Sequence, residues 1–350
     1  IRLTTGRCRP GPGCPGAARR PPPGRPSPVG VGGAAPTTVR AVRLVKIAAV
    51  AAVLVAAGAA FAAQPAWRPA RSVPIPRTEV AAAPLGQEIA VVGGFLRGGA
   101  NTGRADAYVP ARNRWRRLPD LPVTVDHAMA AGVAGRLYVV GGYGPGSAAR
   151  NTAFAFHHGH WTPLPSMPAP RAAGGAAIVG DKLYVVGGVE GPGRLARDAF
   201  AFDFETARWT TFRGPRPREH LGAAALGGRV YVVAGRTGGL DTNQDIVEAF
   251  DPRSGRWRAI PRVPGKRGGP AAAAVGGRLL SAGGEEPGGT IRTVYAYSPT
   301  TRRWTQLPRM RTSRHGLGLV GWRGRVYALA GGPQPGLTGS GANEGLRLGW

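Results

Sequence analysis

Arg136-Leu137-Tyr138-Val139-Val140-Gly141-Gly142 decides the fold, because almost everything after residue 66 is a variation on it. Lys182–Gly188 and Arg229–Gly235 repeat the pattern, Arg278–Gly284 and Arg325–Gly331 follow, and Glu88–Gly94 opens the series. The first small residue of each closing pair falls at 93, 141, 187, 234, 283 and 330, giving steps of 48, 46, 47, 49 and 47. So steady a period over six copies marks an array of one supersecondary unit. The 57 glycines and 34 prolines punctuate short runs of Val, Ala, Leu and Tyr, which reads as many short strands and an all-β chain.

Within each unit an Ala/Gly-rich strand such as Ala128–Val133 precedes the Tyr-Val-Val strand. A Gly-rich loop, a strand carrying an aromatic, a turn and a Trp-initiated strand complete it. The aromatics are Tyr108, Phe156, Phe202, Phe250 and Tyr297, with Leu346 in the sixth copy. Stacking neighbouring units buries Trp and aromatic where one unit alone cannot.

A small pair after a Tyr-containing strand, then an aromatic, then Trp with Leu-Pro behind it closely resembles the kelch repeat, over residues 67–350. The departures are Ala234 and Ala330 for the first Gly, Ala90 and Leu280 for the Tyr, and Phe212-Arg213 for Leu-Pro. The resemblance implies a six-bladed kelch β-propeller over 64–350. The sixth unit ends at Trp350, just after its third strand, whereas Trp67 precedes Arg77 by the ten residues that follow most of the other tryptophans. Residues 67–76 are therefore expected to supply the missing fourth strand and close the ring.

Ahead of the repeats, residues 1–39 are rich in Pro, Gly and Arg and cannot support a core. The chain opens on Ile1, so part of this segment reads as sequence upstream of the translation start. Cys8 and Cys14, the only cysteines, sit here, and a metal or disulfide reading of the pair ranks below a disordered or absent segment. Residues 40–63 carry Arg40, Arg43 and Lys46, an uncharged apolar run from Ile47, and Ala60-Phe61-Ala62 as an A-x-A cleavage site: a secretory signal peptide. An uncleaved anchor over 47–67 is the rival, and would bring a membrane into play. Either way the expectation is a secreted or extracytoplasmic body.

The formal net charge is +28, with 43 of the 46 basic residues arginine, a skew that looks like composition bias as much as selection. Removing the nine basic residues before position 64, where no acid occurs, leaves 37 − 18 = +19 for the rest. Without a basic stripe or nucleic-acid motif, nucleic acid ranks low as a partner.

Sixteen residues before each small pair stand Arg77, Val125, Arg171, Arg218, Arg267 and Arg314. By resemblance this connection shares a face with the loops after the Gly pairs, and the five arginines are expected to ring the channel mouth as ligand-binding forks. Asp126-His127 and Glu219-His220 lie beside them as weak candidates for general acid or base; one His near a carboxylate is more often a surface hydrogen bond. Asp241, Asn243, Gln244 and Asp245 form the most polar loop, but their spacing matches no EF-hand. Glu285-Glu286 reads as a solvated turn. His157-His158-Gly159-His160 falls in a turn on the opposite face, where adjacent histidines rarely converge without further ligands. No cofactor or metal site is therefore expected.

The leading expectation is a binding module that takes a carbohydrate, an acidic ligand or a protein on its loop face, without evident catalysis. Among enzymatic relatives, galactose oxidase needs a cysteine cross-linked to tyrosine, which the repeat region lacks. The alternative is an isomerase like the bacterial kelch-type sialic acid mutarotases, whose acidic sugar an arginine-rich mouth would suit.

Overall fold

The computed structural model describes residues 65–350; the expectations for residues 1–39 and 40–63 lie outside the described residues. Six four-stranded antiparallel sheets surround one axis. Blade 1 runs through Ala81–Leu85, Glu88–Val92, Ala105–Val109 and Arg114–Arg117, and blade 2 through Met129–Val133, Arg136–Val140, Ala153–His157 and His160–Pro163. Blade 3 comprises Gly175–Val179, Lys182–Val186, Asp198–Asp203 and Arg208–Arg213. Blade 4 comprises Gly222–Leu226, Arg229–Val233, Val247–Asp251 and Arg256–Ile260. Blade 5 follows as Ala271–Val275, Arg278–Ala282, Val294–Ser298 and Arg303–Leu307. Blade 6 takes Gly318–Trp322, Arg325–Leu329 and Asn343–Arg347, and its fourth strand is Arg68–Pro69 from the other end of the described chain. Among the described residues no helix is long and apolar enough to cross a membrane.

Position along the radius explains composition. Innermost strands converge on the axis, so in five blades their inward position is alanine, and Ala82, Ala130, Ala176, Ala223 and Ala272 line the channel with Leu319 of blade 6. The second strand has sheets on both sides, and its Val-Val segments are buried in every blade that carries them. Six apolar clusters result, one at each contact between blades.

Tryptophans link the blades in a fixed register. Trp115, Trp161, Trp209, Trp257 and Trp304 donate their indole N–H to the carbonyls of Arg71, Pro119, Pro165, Arg213 and Pro261, at 2.7–2.9 Å. In each case the acceptor lies four residues beyond the previous blade's Trp. Trp67 obeys the same rule across the chain ends, donating to Pro308 at 2.8 Å. It is therefore the sixth blade's tryptophan, and the ring is closed as expected. The closing strand is shorter than the 67–76 anticipated. Pro69 has no N–H to donate, and only isolated bonds, Ala70 N–H to Asn343 and Val73 N–H to Gly341, extend the pairing.

Candidate functional site at the channel mouth

The expected arginine mouth is corrected by the structure. Arg77, Arg171, Arg218, Arg267 and Arg314 are on the loop face, but each lies inside its own blade, at most 2 % exposed. Each guanidinium donates to the carbonyl of the residue sixteen further on, the first of the small pair: Gly93, Gly187, Ala234, Gly283 and Ala330, at 2.7–3.3 Å. The spacing that singled these arginines out is thus an intrablade hydrogen bond. Asp106, Glu248 and Glu344 pair with Arg77, Arg218 and Arg314 at 2.8, 2.5 and 2.6 Å. Burial pulls Arg77, Arg171 and Arg267 down to about 10, still charged at neutral pH. These side chains weld loop to blade and present no open fork.

What lines the mouth stands two residues after each of the five arginines and Val125: Glu79, His127, Ala173, His220, Gly269 and Gly316. Their backbones are tied around the axis. The N–H groups of His127, Ala173, His220, Gly269 and Gly316 each donate to the equivalent carbonyl of the preceding blade, and Val80 N–H to Gly316 closes the circle. All six adopt left-handed φ between 48° and 59°. Glycine or alanine suits such a narrow ring, so Glu79, His127 and His220 are conspicuous there.

Those three converge. His127 Nε2 lies 2.9 Å from His220 Nε2 and 3.2 Å from Glu79 Oε2. Glu79 Oε1 accepts from His315 Nδ1 at 2.9 Å. Behind the imidazoles stand carboxylates: Asp126 contacts His127 Nδ1, and Glu219 Oε1 is 3.3 Å from His220 Nδ1, close but without an aligned hydrogen bond. Arg236 ties Glu219 to the buried Glu285 at 3.3 and 2.6 Å. Phe95 and Tyr143 pack edge-on against His127.

Charge follows from this packing. Burial opposes ionisation of Glu79, but the histidines, His127 foremost, outweigh it and hold the carboxyl below its ordinary range. Burial likewise works against protonation of His127 and His315, and their carboxylate neighbours overcome it, raising both. For His220 burial wins, and its pKa falls. The cavity over the cluster is about 90 Å³, below the few hundred Å³ of sites that engulf a small molecule.

The structure therefore brings together His127 and His220, with Asp126 and Glu219 behind them, from the sequence candidates. It adds Glu79 and His315, which sequence reasoning missed. Aligning the repeats in the column two after the arginine would have exposed Glu79 as a charge where small residues belong. Elsewhere, Glu285 is buried rather than solvated, while Glu286 is exposed. Asn243 donates to the carbonyl of Glu285 in the blade 5 loop at 2.7 Å, and Asp245 pairs with Arg262 beyond blade 4's last strand, so the polar loop of blade 4 is tied to its neighbours. His157, His158 and His160 sit at a turn on the opposite face.

Fold and register together define a six-bladed propeller of kelch type. Residues 126–332, more than half of the chain, match the KLHDC2/KLHL20/DRC7 Kelch-repeats domain, and the chain belongs to the kelch-repeat family. A search among curated proteins finds no match.

Proposed function

We propose that the protein is a binding module that takes a protein partner on the loop face of its propeller. Kelch propellers commonly serve as protein-binding modules, and fold alone does not choose the partner. The observation that carries the reading is the division of labour between scaffold and loops. Tryptophan and a second-place Gly repeat in all six blades and the buried arginine in five, whereas the six loops on one face differ in sequence and fall into several structures. Blades 3 and 5 fold theirs into small hairpins, Val189–Gly191 with Arg194–Leu195 and Glu285–Glu286 with Gly289–Thr290. Blades 2 and 4 use single 3-10 turns, and blade 6 extends Leu337, 58 % exposed, towards Gly99 of blade 1. Variable loops on a fixed scaffold are where specificity is placed.

A small acidic sugar is the weaker reading, since the arginines it needed are internal and the mouth cavity is small. The basic body, +19 over residues 64–350, favours partners with acidic segments. Export is part of the proposal, resting on the charged, apolar and A-x-A sequence of residues 40–63.

The test is photo-crosslinking from a reactive residue placed at Leu337, against one at Arg253 in the blade 4 turn of the opposite face. A discrete protein adduct from Leu337 alone is expected. Adducts from Arg253 alone, or equally from both, would overturn the loop face as the docking side.

A further inference from the structure

Imidazole geometry at the mouth raises a question of charge that the binding reading does not answer. His127 Nδ1 faces Asp126, and His220 Nδ1 faces Glu219. A neutral ring whose Nδ1–H is held by a carboxylate carries its lone pair on Nε2, as Asp126 arranges for His127. The Nε2 atoms of His127 and His220 face each other across 2.9 Å, with Glu79 Oε2 3.2 Å from the first. Three potential ligand atoms from blades 1, 2 and 4 thus lie together, and either a proton shared between them or a metal ion can occupy the space. The surroundings are rich in carboxylates: Glu79, Asp126, Glu219 and Glu285 lie around three histidines and the guanidinium of Arg236. Carboxylates in that number favour a cation among them.

We propose that Glu79, His127 and His220 form a binding site for a divalent first-row transition ion on the propeller axis. The ligand atoms of the three residues lie within 4.8 Å of one another. Metal–imidazole bonds of about 2.05 Å to nitrogens 2.9 Å apart subtend about 90°. That is the cis angle of a five- or six-coordinate ion; a tetrahedral one needs the rings to part by only about 0.4 Å. Two imidazoles and a carboxylate suit zinc, iron(II) or cobalt(II). Asp126 and Glu219 stand where outer carboxylates orient metal-binding histidines, and His315 fixes Glu79 Oε1 so that Oε2 is the free ligand atom. The remaining positions face the cavity at the mouth, leaving room for water or a partner's donor.

The experiment is metal analysis of the untagged full chain after chelation, reloading with zinc or cobalt(II) and desalting. His157, His158 and His160 on the opposite face are a second possible sink, so the triple alanine variant at those positions is the control. About one equivalent is expected in the parent and in that control, falling towards zero in His220→Ala and Glu79→Gln. Retention of metal in both mouth variants, or its loss in the triple variant, overturns the proposal. Should the mouth variants fail to fold, X-ray absorption on the loaded parent decides: two imidazoles with oxygen donors support the site, and any other number of imidazoles sinks it.

Discussion

Arg314 and Arg267 occupy equivalent places in blades 6 and 5, yet their loss should differ in cost. Arg314 bonds the Ala330 and Ala342 carbonyls, both at 2.8 Å, and pairs with buried Glu344. Arg267 bonds carbonyls and the Thr293 hydroxyl, with no acid in reach of its fork. Arg314→Ala strands a buried carboxylate and is expected to cost about 3–5 kcal/mol. Arg267→Ala, which orphans only neutral acceptors, should cost about 1–3 kcal/mol. Adding Glu344→Gln should recover part of the Arg314→Ala loss; urea unfolding of the three variants reads this, and equal losses would assign the energy to the carbonyl bonds. Asp203 makes a prediction in pH. Its bond with Lys182, then the Thr206 N–H, hold the carboxyl below its ordinary range. A depressed folded pKa gives stability that is present above the unfolded value, near 4, and lost as pH falls through the folded one. The urea midpoint of Asp203→Asn should therefore lie below the parent's at pH 7, and the gap should narrow steadily as the pH falls below about 4. A gap that does not narrow there would mean the pair contributes through packing. Also at this scale, the spacing of the arginines was legible in the sequence while their radius was not. A fixed offset of sixteen encodes that two positions are related, but not whether a side chain turns into its blade or towards the axis. For Glu79 and His315 the obstacle was another. Glu79 shows in the sequence only as a charge where small residues belong, and the partners that give both residues a role come from other blades that only ring closure brings near.

At the scale of the element, the Gly pair is two different constraints. Ala234 stands in the first place with φ 55°, a left-handed conformation alanine tolerates, as Ala330 does at 56°. Gly235 in the second place has φ 103°, and a Cβ there would meet the Glu219 carbonyl oxygen at 2.6 Å. Every copy keeps Gly in the second place, and the sequence shows substitution only in the first. Gly235→Ala is expected to cost about 2–3 kcal/mol, whereas Ala234→Gly should stay within about 1 kcal/mol. Thermal melts of the two variants check this. A tolerated Gly235→Ala would mean that the connection carrying Glu219 can give way, and with it one wall of the mouth. Strands, turns and the Trp–aromatic pairs of each blade could be read from the sequence because each obeys a local rule repeated six times. The hairpins inside the blade 3 and blade 5 loops could not, since Gly-rich segments of such length have no periodicity to read.

For the whole molecule, the decisive joint is the one between its ends. Trp67 is 3 % exposed, packs in the cluster between blades 5 and 6 with Leu280 and Leu346, and bonds the Pro308 carbonyl. Yet only Arg68 and Pro69 pair as strand, against Gly345 and Glu344. Closure therefore leans on one indole more than on backbone ladder bonds. Trp67→Ala should cost about 3–5 kcal/mol, as burial of that side chain implies, and lower the melting temperature by on the order of 10 °C. Because each blade buries its faces only against its neighbours, that loss should appear in a single shifted transition and not as a local fraying of the terminus. Removing residues 65–76 should do more: it bares the edge of Asn343–Arg347, which can then pair with another molecule, so concentration-dependent association should accompany the lower melt. A truncated protein that melts like the parent and stays monomeric on size exclusion would mean that five complete blades and three strands already hold the ring, and that the sixth tryptophan merely fills a gap.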